Sequence, residues 1–288
     1  MGAISVSKDQ KWILCGTYEG ASVWDGDMHE KVIKVEGTSW VWAVDISPDS
    51  TRFATGTGWP DHKASIWNIT TGERLVGPLK HDGIVNGIKF SPNGEHLATA
   101  WGEGSIRIFD SRSGVELIMI KTDIPSRTPI TPFAWSSDSK QIFAESHNKI
   151  KAFDVSTGSQ LAESQILRDG DNDVLSIALA NNGKFVATFS DRSILFLDAS
   201  TLTRIGFVIA DGERIRSIDI SVDSSYVATG RGDGKIVIHD LSNILPDSYG
   251  AFNVSICSFI IAHPHSMYHA DKLCRYLLAS MQNKTGSP

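Results

Sequence analysis

Residues 105–110, Ser-Ile-Arg-Ile-Phe-Asp, show the pattern that decides the fold. Apolar and polar side chains alternate along this segment, and a period of two is typical of a β-strand. The pattern returns in five other segments, which end at Asp25, Asn68, Asp154, Asp198 and Asp240. When Asp110 is included, the intervals between the last residues of successive segments are 43, 42, 44, 44 and 42 residues. Six units of such similar length indicate an internal repeat.

A turn signal precedes the last residue of each of these segments by 16 to 19 residues. Ser47-Pro48-Asp49 and Ser91-Pro92-Asn93 are examples, and proline followed by Asp or Asn favours a tight reversal between two strands. Each unit therefore predicts four short antiparallel strands, the first of which ends at this turn. A four-stranded sheet that is repeated at this spacing is typical of a propeller blade.

These residues together resemble the WD40-repeat β-propeller family. The resemblance covers residues 1–242 and predicts an all-β fold with six four-stranded blades. The expected blade limits are approximately 1–37, 38–82, 83–122, 128–168, 172–210 and 213–242. Residues 243–288 depart from the repeat, so they form either an atypical tail or a degenerate seventh blade.

The resemblance also implies a polar network inside each blade. It joins a His before the first strand, a Ser or Thr in the second strand, an Asp in the following turn and a Trp in the third strand. The third unit offers His81, Thr99, Glu103 and Phe109. The second offers Thr55, Asp61 and Trp67, with Gly37 at the histidine position. The sixth offers Thr229 and Asp233, with His239 at the tryptophan position.

Four tryptophans, Trp40, Trp42, Trp59 and Trp101, lie outside the apolar positions that the repeats share. Polar residues of other units align with them, such as Asn86 with Trp42 and Arg231 with Trp101, which predicts exposure. The start of the first strand and the turn between the second and third strands lie at one end of an antiparallel blade, here called the top rim. Trp and Arg are frequent in binding hot spots. The predicted partner-binding residues of the top rim are therefore Trp40, Trp42, Trp59, Asn86, Trp101, Arg214, Arg216 and Arg231. An alternative is that Trp40 and Trp42 only plug the mouth of the central channel.

Composition excludes several classes of protein. The 288 residues carry 27 Lys and Arg against 33 Asp and Glu, a net charge of -6, so no nucleic-acid partner is expected. The longest apolar stretch is too short for a membrane helix, and no signal peptide is recognised at the N-terminus. Three cysteines argue against a disulfide framework and fit a reducing compartment. The expected location is cytoplasmic, with the nucleus as the alternative.

No set of residues points to chemistry. No Ser/His/Asp triad or paired carboxylates stand out, and the tail cluster of Cys257, His263, His265, His269 and Cys274 matches no standard zinc spacing. We therefore predict no metal, no cofactor and no catalysis. The predicted function is a non-catalytic scaffold that binds a peptide or protein partner on the top rim. The alternatives are a regulatory or sensor part of a longer multidomain protein and, less favoured, a propeller enzyme.

Overall fold

The computed structural model describes residues 3–37, 39–101, 104–122, 133–146, 149–165, 176–221 and 223–249. In this part the chain is all-β, with 23 strands in six antiparallel sheets and one 3-10 helix, Asp247–Tyr249. The six sheets are the blades of a β-propeller, as the repeat predicts. No helix in this part is long and apolar enough to cross a membrane.

Each sheet follows the order of the chain, so that every blade is a simple meander. Blade one contains β1 (Ala3–Val6), β2 (Trp12–Thr17), β3 (Gly20–Asp25) and β4 (Lys31–Glu36). Blade two contains β5 (Val41–Ile46), β6 (Arg52–Thr57), β7 (Lys63–Asn68) and β8 (Arg74–Lys80). Blade three contains β9 (Val85–Phe90), β10 (His96–Trp101), β11 (Ser105–Asp110) and β12 (Glu116–Lys121).

The second half of the chain repeats this arrangement. Blade four contains β13 (Phe133–Trp135), β14 (Gln141–Ser146), β15 (Lys149–Asp154) and β16 (Gln160–Glu163). Blade five contains β17 (Ile177–Leu179), β18 (Phe185–Ser190), β19 (Ser193–Asp198) and β20 (Arg204–Ala210). Blade six has three strands in the described part, β21 (Ile215–Ile220), β22 (Tyr226–Arg231) and β23 (Ile236–Asp240). The predicted seventh blade or tail lies, from residue 250 onward, outside the described residues.

The recurring acids stabilise turns. Ser47 Oγ donates to Asp49 Oδ1 at 2.6 Å in the turn after β5, and the turn after β9 repeats the bond with Asn93. After β11, Asp110 Oδ1 accepts the backbone N–H of Ser113 at 2.7 Å. Asp and Asn bind their own backbone in this way, so these side chains maintain the fold.

Neighbouring blades pack face to face around apolar cores. Between blades five and six, Phe185, Phe189 and Phe196 pack with Ile215 and Val227, and all five side chains are almost fully buried. Related clusters fill the other interfaces between consecutive blades, from one to five. Full burial of one such side chain contributes about 1.5–3 kcal/mol.

Asp45, in the innermost strand of blade two, connects three blades. Its Oδ2 accepts the backbone N–H of Phe90 in blade three at 2.8 Å, and its Oδ1 accepts the hydroxyl of Ser5 in blade one at 3.4 Å. Burial raises the pKa of the Asp45 carboxyl, although Lys89 and the Phe90 N–H oppose the shift. Desolvation of Asp45 therefore disfavours its charged form, and the two hydrogen bonds that it accepts oppose this effect.

After β23 the chain turns back over blade five through residues 241–249, here called the return segment. Leu241 and Leu245 are buried in the core between blades five and six. The backbone of Ile244 accepts the N–H of Phe207 in β20 at 3.3 Å. At its end, the Tyr249 hydroxyl donates to Asp198 Oδ2 at 2.7 Å. The return segment thus joins blade six to blade five outside the sheet ladders.

Cys15 differs from the sequence prediction. It lies fully buried in β2, packed with Ile13 and Trp24 on the face of blade one that points away from blade two. Cys15 is disulfide-bonded, whereas the sparse cysteines predict the free thiols of a reducing compartment. The other two cysteines, Cys257 and Cys274, lie outside the described residues.

Candidate partner-binding rim

Aromatic side chains gather on the top rim of blades one and two. Trp40 and Trp42 stack with ring centroids 5.8 Å apart, and Tyr18 meets Trp40 edge-on at 5.5 Å. The Trp42 indole lies over Gly58, where an added Cβ would stand 2.3 Å from its Nε1. Trp59, the next residue, is 76% exposed. We name Tyr18, Trp40, Trp42 and Trp59 the aromatic patch.

Tyr18, which sequence reasoning missed, is 67% exposed. It lies in the turn between β2 and β3 of blade one, and Trp59 lies in the same turn of blade two. That shared turn position is the signal that could have identified Tyr18. Offset or edge-to-face aromatic contacts of this kind stabilise a defined arrangement, so the patch is partly ordered before any partner arrives.

The predicted exposure of the four tryptophans is wrong for Trp101, while Trp40 and Trp42 are half-buried and Trp59 is exposed. Trp101 is only 3% exposed, because Arg107 lies over its ring at 4.3 Å and His81 packs edge-on at 5.5 Å. The aligned Arg231, which suggested exposure, is itself largely buried against Asp211. Asn86 is buried as well, at 6%. Neither Trp101 nor Asn86 belongs to an exposed patch.

The arginines of the blade-six rim have acidic neighbours. Arg214 Nε donates to Asp191 Oδ1 at 3.0 Å, and both side chains are about half exposed. Arg231 lies 3.9 Å from Asp211 and 3.8 Å from Asp233. Arg216 Nε is buried without a hydrogen-bond partner among the described residues. These ion pairs compensate part of the positive charge of the blade-six rim.

The predicted network of blade three forms around His81. Its Nε2 lies 2.8 Å from Thr99 Oγ1 and its Nδ1 lies 3.0 Å from the Leu79 carbonyl. A carbonyl only accepts, so Nδ1 carries the proton and the Thr99 hydroxyl donates to Nε2 of the neutral ring. Phe109 packs edge-on against the ring at 5.9 Å. Glu103, the predicted acid of this network, lies outside the described residues.

Burial lowers the pKa of His81 to about 4 from its ordinary value of 6.5. The positive charge of Arg107 adds to this shift, while the Leu79 carbonyl and Asp82 oppose it. His81 is therefore neutral at physiological pH, and its protonation would disrupt a buried hydrogen bond.

In blade six an acid replaces the histidine, which the sequence alignment did not reveal. Thr229 Oγ1 donates to Asp211 Oδ2 at 2.9 Å, and His239 Nε2 lies 3.7 Å from Asp211 Oδ1. Burial lowers the pKa of His239, although Asp211 raises it. Asp233 accepts the backbone N–H of Lys235 at 3.1 Å and so closes the turn between β22 and β23.

Blade two forms only part of its network. Trp67 Nε1 donates to Thr55 Oγ1 at 2.9 Å, and Asp61 pairs with Lys63 at 2.9 Å. Gly37 contributes no side chain. Across the described ranges, no group of three or more His, Cys, Asp or Glu residues could hold a metal ion. The tail cluster with Cys257 and His263 lies outside those ranges.

Comparison with known families supports the same class of protein. Residues 62–138 match the model "Anaphase-promoting complex subunit 4 WD40 domain". Residues 30–68 and 205–240 match "WD domain, G-beta repeat". Together with the six blades, these matches show that the chain belongs to the WD40-repeat β-propeller family.

Individual relatives are similar at low identity. A serine-threonine kinase receptor-associated protein from Gallus gallus is 25% identical over 69% of this chain and 54% of its own length. The eukaryotic translation initiation factor 3 subunit I of Aspergillus terreus is 27% identical over 67% of this chain and 59% of its own. The small ribosomal subunit protein RACK1 of Caenorhabditis elegans is 29% identical over 52% and 48%. The chain thus spans about half the length of the curated relatives it matches.

Proposed function

We propose that this propeller is a non-catalytic scaffold that binds a peptide or protein partner on the top rim of blades one and two. The aromatic patch is the observation that supports this proposal. Trp59 and Tyr18 are 76% and 67% exposed, and contiguous exposed apolar surface on a folded domain usually marks a contact site.

The patch has the properties of a binding hot spot. Trp and Tyr supply large rigid contact areas and dominate the binding free energy of many interfaces. The stacked Trp40 and Trp42 lose little side-chain freedom when a partner binds, which lowers the entropic cost of association. Arg214 and Arg216, on the rim of blade six, contribute to association rate and salt dependence, as charges at an interface edge do.

A role inside a larger assembly is the second candidate. The relatives are a receptor-associated protein, an initiation-factor subunit and a ribosomal subunit protein. These names support a role in which the chain acts together with other chains. An enzymatic role has no support from a convergent acid–base or metal set in the described part.

Affinity capture with mass spectrometry tests the proposal. We compare the wild type, the Trp40→Ala/Trp42→Ala variant and the Trp59→Ala variant. Phe207→Ala is the matched control, because Phe207 is 75% exposed but lies on the outer strand of blade five. We expect the rim variants to lose partners that the control retains. Equal capture by all four proteins contradicts the proposed site.

The cytoplasm, with the nucleus as alternative, stays the predicted location. The disulfide at Cys15 counts against it, because disulfides persist mainly in oxidising compartments. Imaging of the fluorescently tagged chain distinguishes these locations. A secretory-pathway signal contradicts the prediction.

A further inference from the structure

A cavity of about 350 Å³ lies between blades one and two. Its walls include the Trp67 indole and the hydroxyl-bearing residues Ser39, Thr55 and Ser65, and the exposed Gly37 lies at its edge. Small-molecule sites have volumes of about 300–1,000 Å³, so this cavity can hold an aromatic ring together with the side-chain atoms that attach the ring to a peptide backbone.

The cavity occupies the place that a histidine ring fills in blade three. Gly37 donates its backbone N–H to the Glu19 carbonyl, just as His81 donates to His62 and Asp211 to Arg192. Each of these three residues lies 18 positions before the threonine of its blade, which is Thr55, Thr99 or Thr229. His81 and Asp211 reach their threonines with side chains, while Gly37 leaves this space open.

The backbone at Gly37 does not require glycine. Its φ lies outside the left-handed region, and an added Cβ would meet its nearest neighbours, Gly20 Cα and Ser39 O, at 3.7 Å. These are ordinary van der Waals distances. The space is therefore open because a side chain is missing, and no close backbone contact prevents its filling.

Polar groups in the cavity match an imidazole. Ser39 is 2% exposed, and its Oγ has no hydrogen-bond partner among the described residues. Thr55 Oγ1 accepts from Trp67 Nε1, which leaves its hydroxyl hydrogen for an acceptor such as a ring nitrogen. A buried polar group without a partner costs about 1–3 kcal/mol, and a ligand that satisfies it regains part of this energy.

The cavity lies beside the aromatic patch. Ser39 directly precedes Trp40, Gly20 follows Tyr18 by two positions, and Asp61 follows Trp59 by two positions. A peptide that docks on the patch passes the edge of the cavity.

We propose that this cavity binds the imidazole ring of a histidine side chain that the partner peptide inserts between blades one and two. This inference rests on the proposed function, because the partner peptide supplies the histidine ring. The inserted ring takes the place of the side chain that Gly37 lacks, with the Thr55 hydroxyl donating to one nitrogen and Ser39 Oγ accepting from the other.

The test uses 4-methylimidazole as the probe, at a pH above its pKa, and toluene as a matched ring without nitrogen. The protein carries 5-fluorotryptophan, and Trp67→Phe assigns the Trp67 signal in ¹⁹F spectra. We expect a saturable shift of this signal with 4-methylimidazole in the wild type and in Gly37→Ala. In Gly37→His the new side chain itself occupies the cavity. This variant should therefore show no shift of the Trp67 signal with 4-methylimidazole, and its melting temperature should rise.

Ser39→Ala keeps the test decisive if Gly37→His does not fold. Loss of one hydrogen bond should weaken probe binding about threefold to tenfold, while stability stays constant or rises because an unpaired hydroxyl is removed. Absence of a saturable shift, or equal binding of toluene, overturns the proposal. Failure of the proposed function is distinguishable: the Trp40→Ala/Trp42→Ala variant would then still capture partners, whatever the probe does.

Discussion

Acid should destabilise the wild-type protein more than the His81→Gln variant. Burial lowers the pKa of His81 to about 4, against 6.5 for an ordinary histidine. The unfolded chain therefore binds a proton at a pH where the folded protein does not. The contribution of His81 to stability is complete above pH 6.5 and is lost as the pH falls toward 4.

The size of the effect follows from the two pKa values. Linkage gives a loss of about 2 kcal/mol between pH 7.5 and pH 5, and of about 3 kcal/mol by pH 4. We would measure urea unfolding of both proteins at each of these pH values. Since all other titratable groups are common to both proteins, the difference between their free energies of unfolding isolates His81.

We expect the wild type to be more stable than His81→Gln at pH 7.5, because Thr99 loses its buried partner in the variant. This advantage should shrink by about 2 kcal/mol at pH 5. Parallel stability curves across this range would refute the reasoning, because they would show that His81 titrates normally and that its bond to Thr99 is not buried.

Three further predictions concern individual side chains. Trp101→Ala should cost about 3–5 kcal/mol of unfolding free energy because it empties a core site, whereas Trp59→Ala should stay within about 0.5 kcal/mol; equal melting temperatures of the two variants would contradict the burial difference. Asp45→Ala should lose about 1–3 kcal/mol in urea unfolding by leaving the Phe90 N–H without its acceptor, and Asp45→Asn should lose less than about 1 kcal/mol since its amide oxygen keeps that acceptor; an equal loss in both variants would contradict the acceptor role of Asp45. Tyr249→Phe removes the hydrogen bond to Asp198, so it should cost about 1 kcal/mol of unfolding free energy. It should also increase protease cleavage near the return segment, and an unchanged cleavage rate would show that this hydrogen bond does not hold the segment in place.

The fold could be predicted because the repeat is redundant. A strand that alternates apolar and polar residues is ambiguous alone, but the segments ending at Asp25, Asn68 and Asp110 share one period and one turn chemistry. The turn roles of Asp49 and Asp110 were equally readable, since Asp binds its own nearby backbone whatever the tertiary context.

The site was less predictable because exposure depends on contacts between distant residues. Alignment of Trp101 with Arg231 suggested a surface position, yet both side chains are covered by partners from elsewhere, Arg107 and Asp211. Asp211 could not be recognised as the counterpart of His81 by residue type, because a carboxylate and an imidazole share only the ability to bind a threonine hydroxyl. Their common spacing of 18 residues from that threonine would have shown it.

The return segment also sets how the molecule bears mechanical load. A pull on the chain beyond Tyr249 acts first on the Asp198 hydrogen bond and on the buried Leu245, both of which engage blade five. Tension therefore bypasses β23, and the three-stranded part of blade six is not unzipped strand by strand. A tether or fusion partner attached there would load the contacts between blades five and six, and the aromatic patch, on blades one and two, lies away from those contacts.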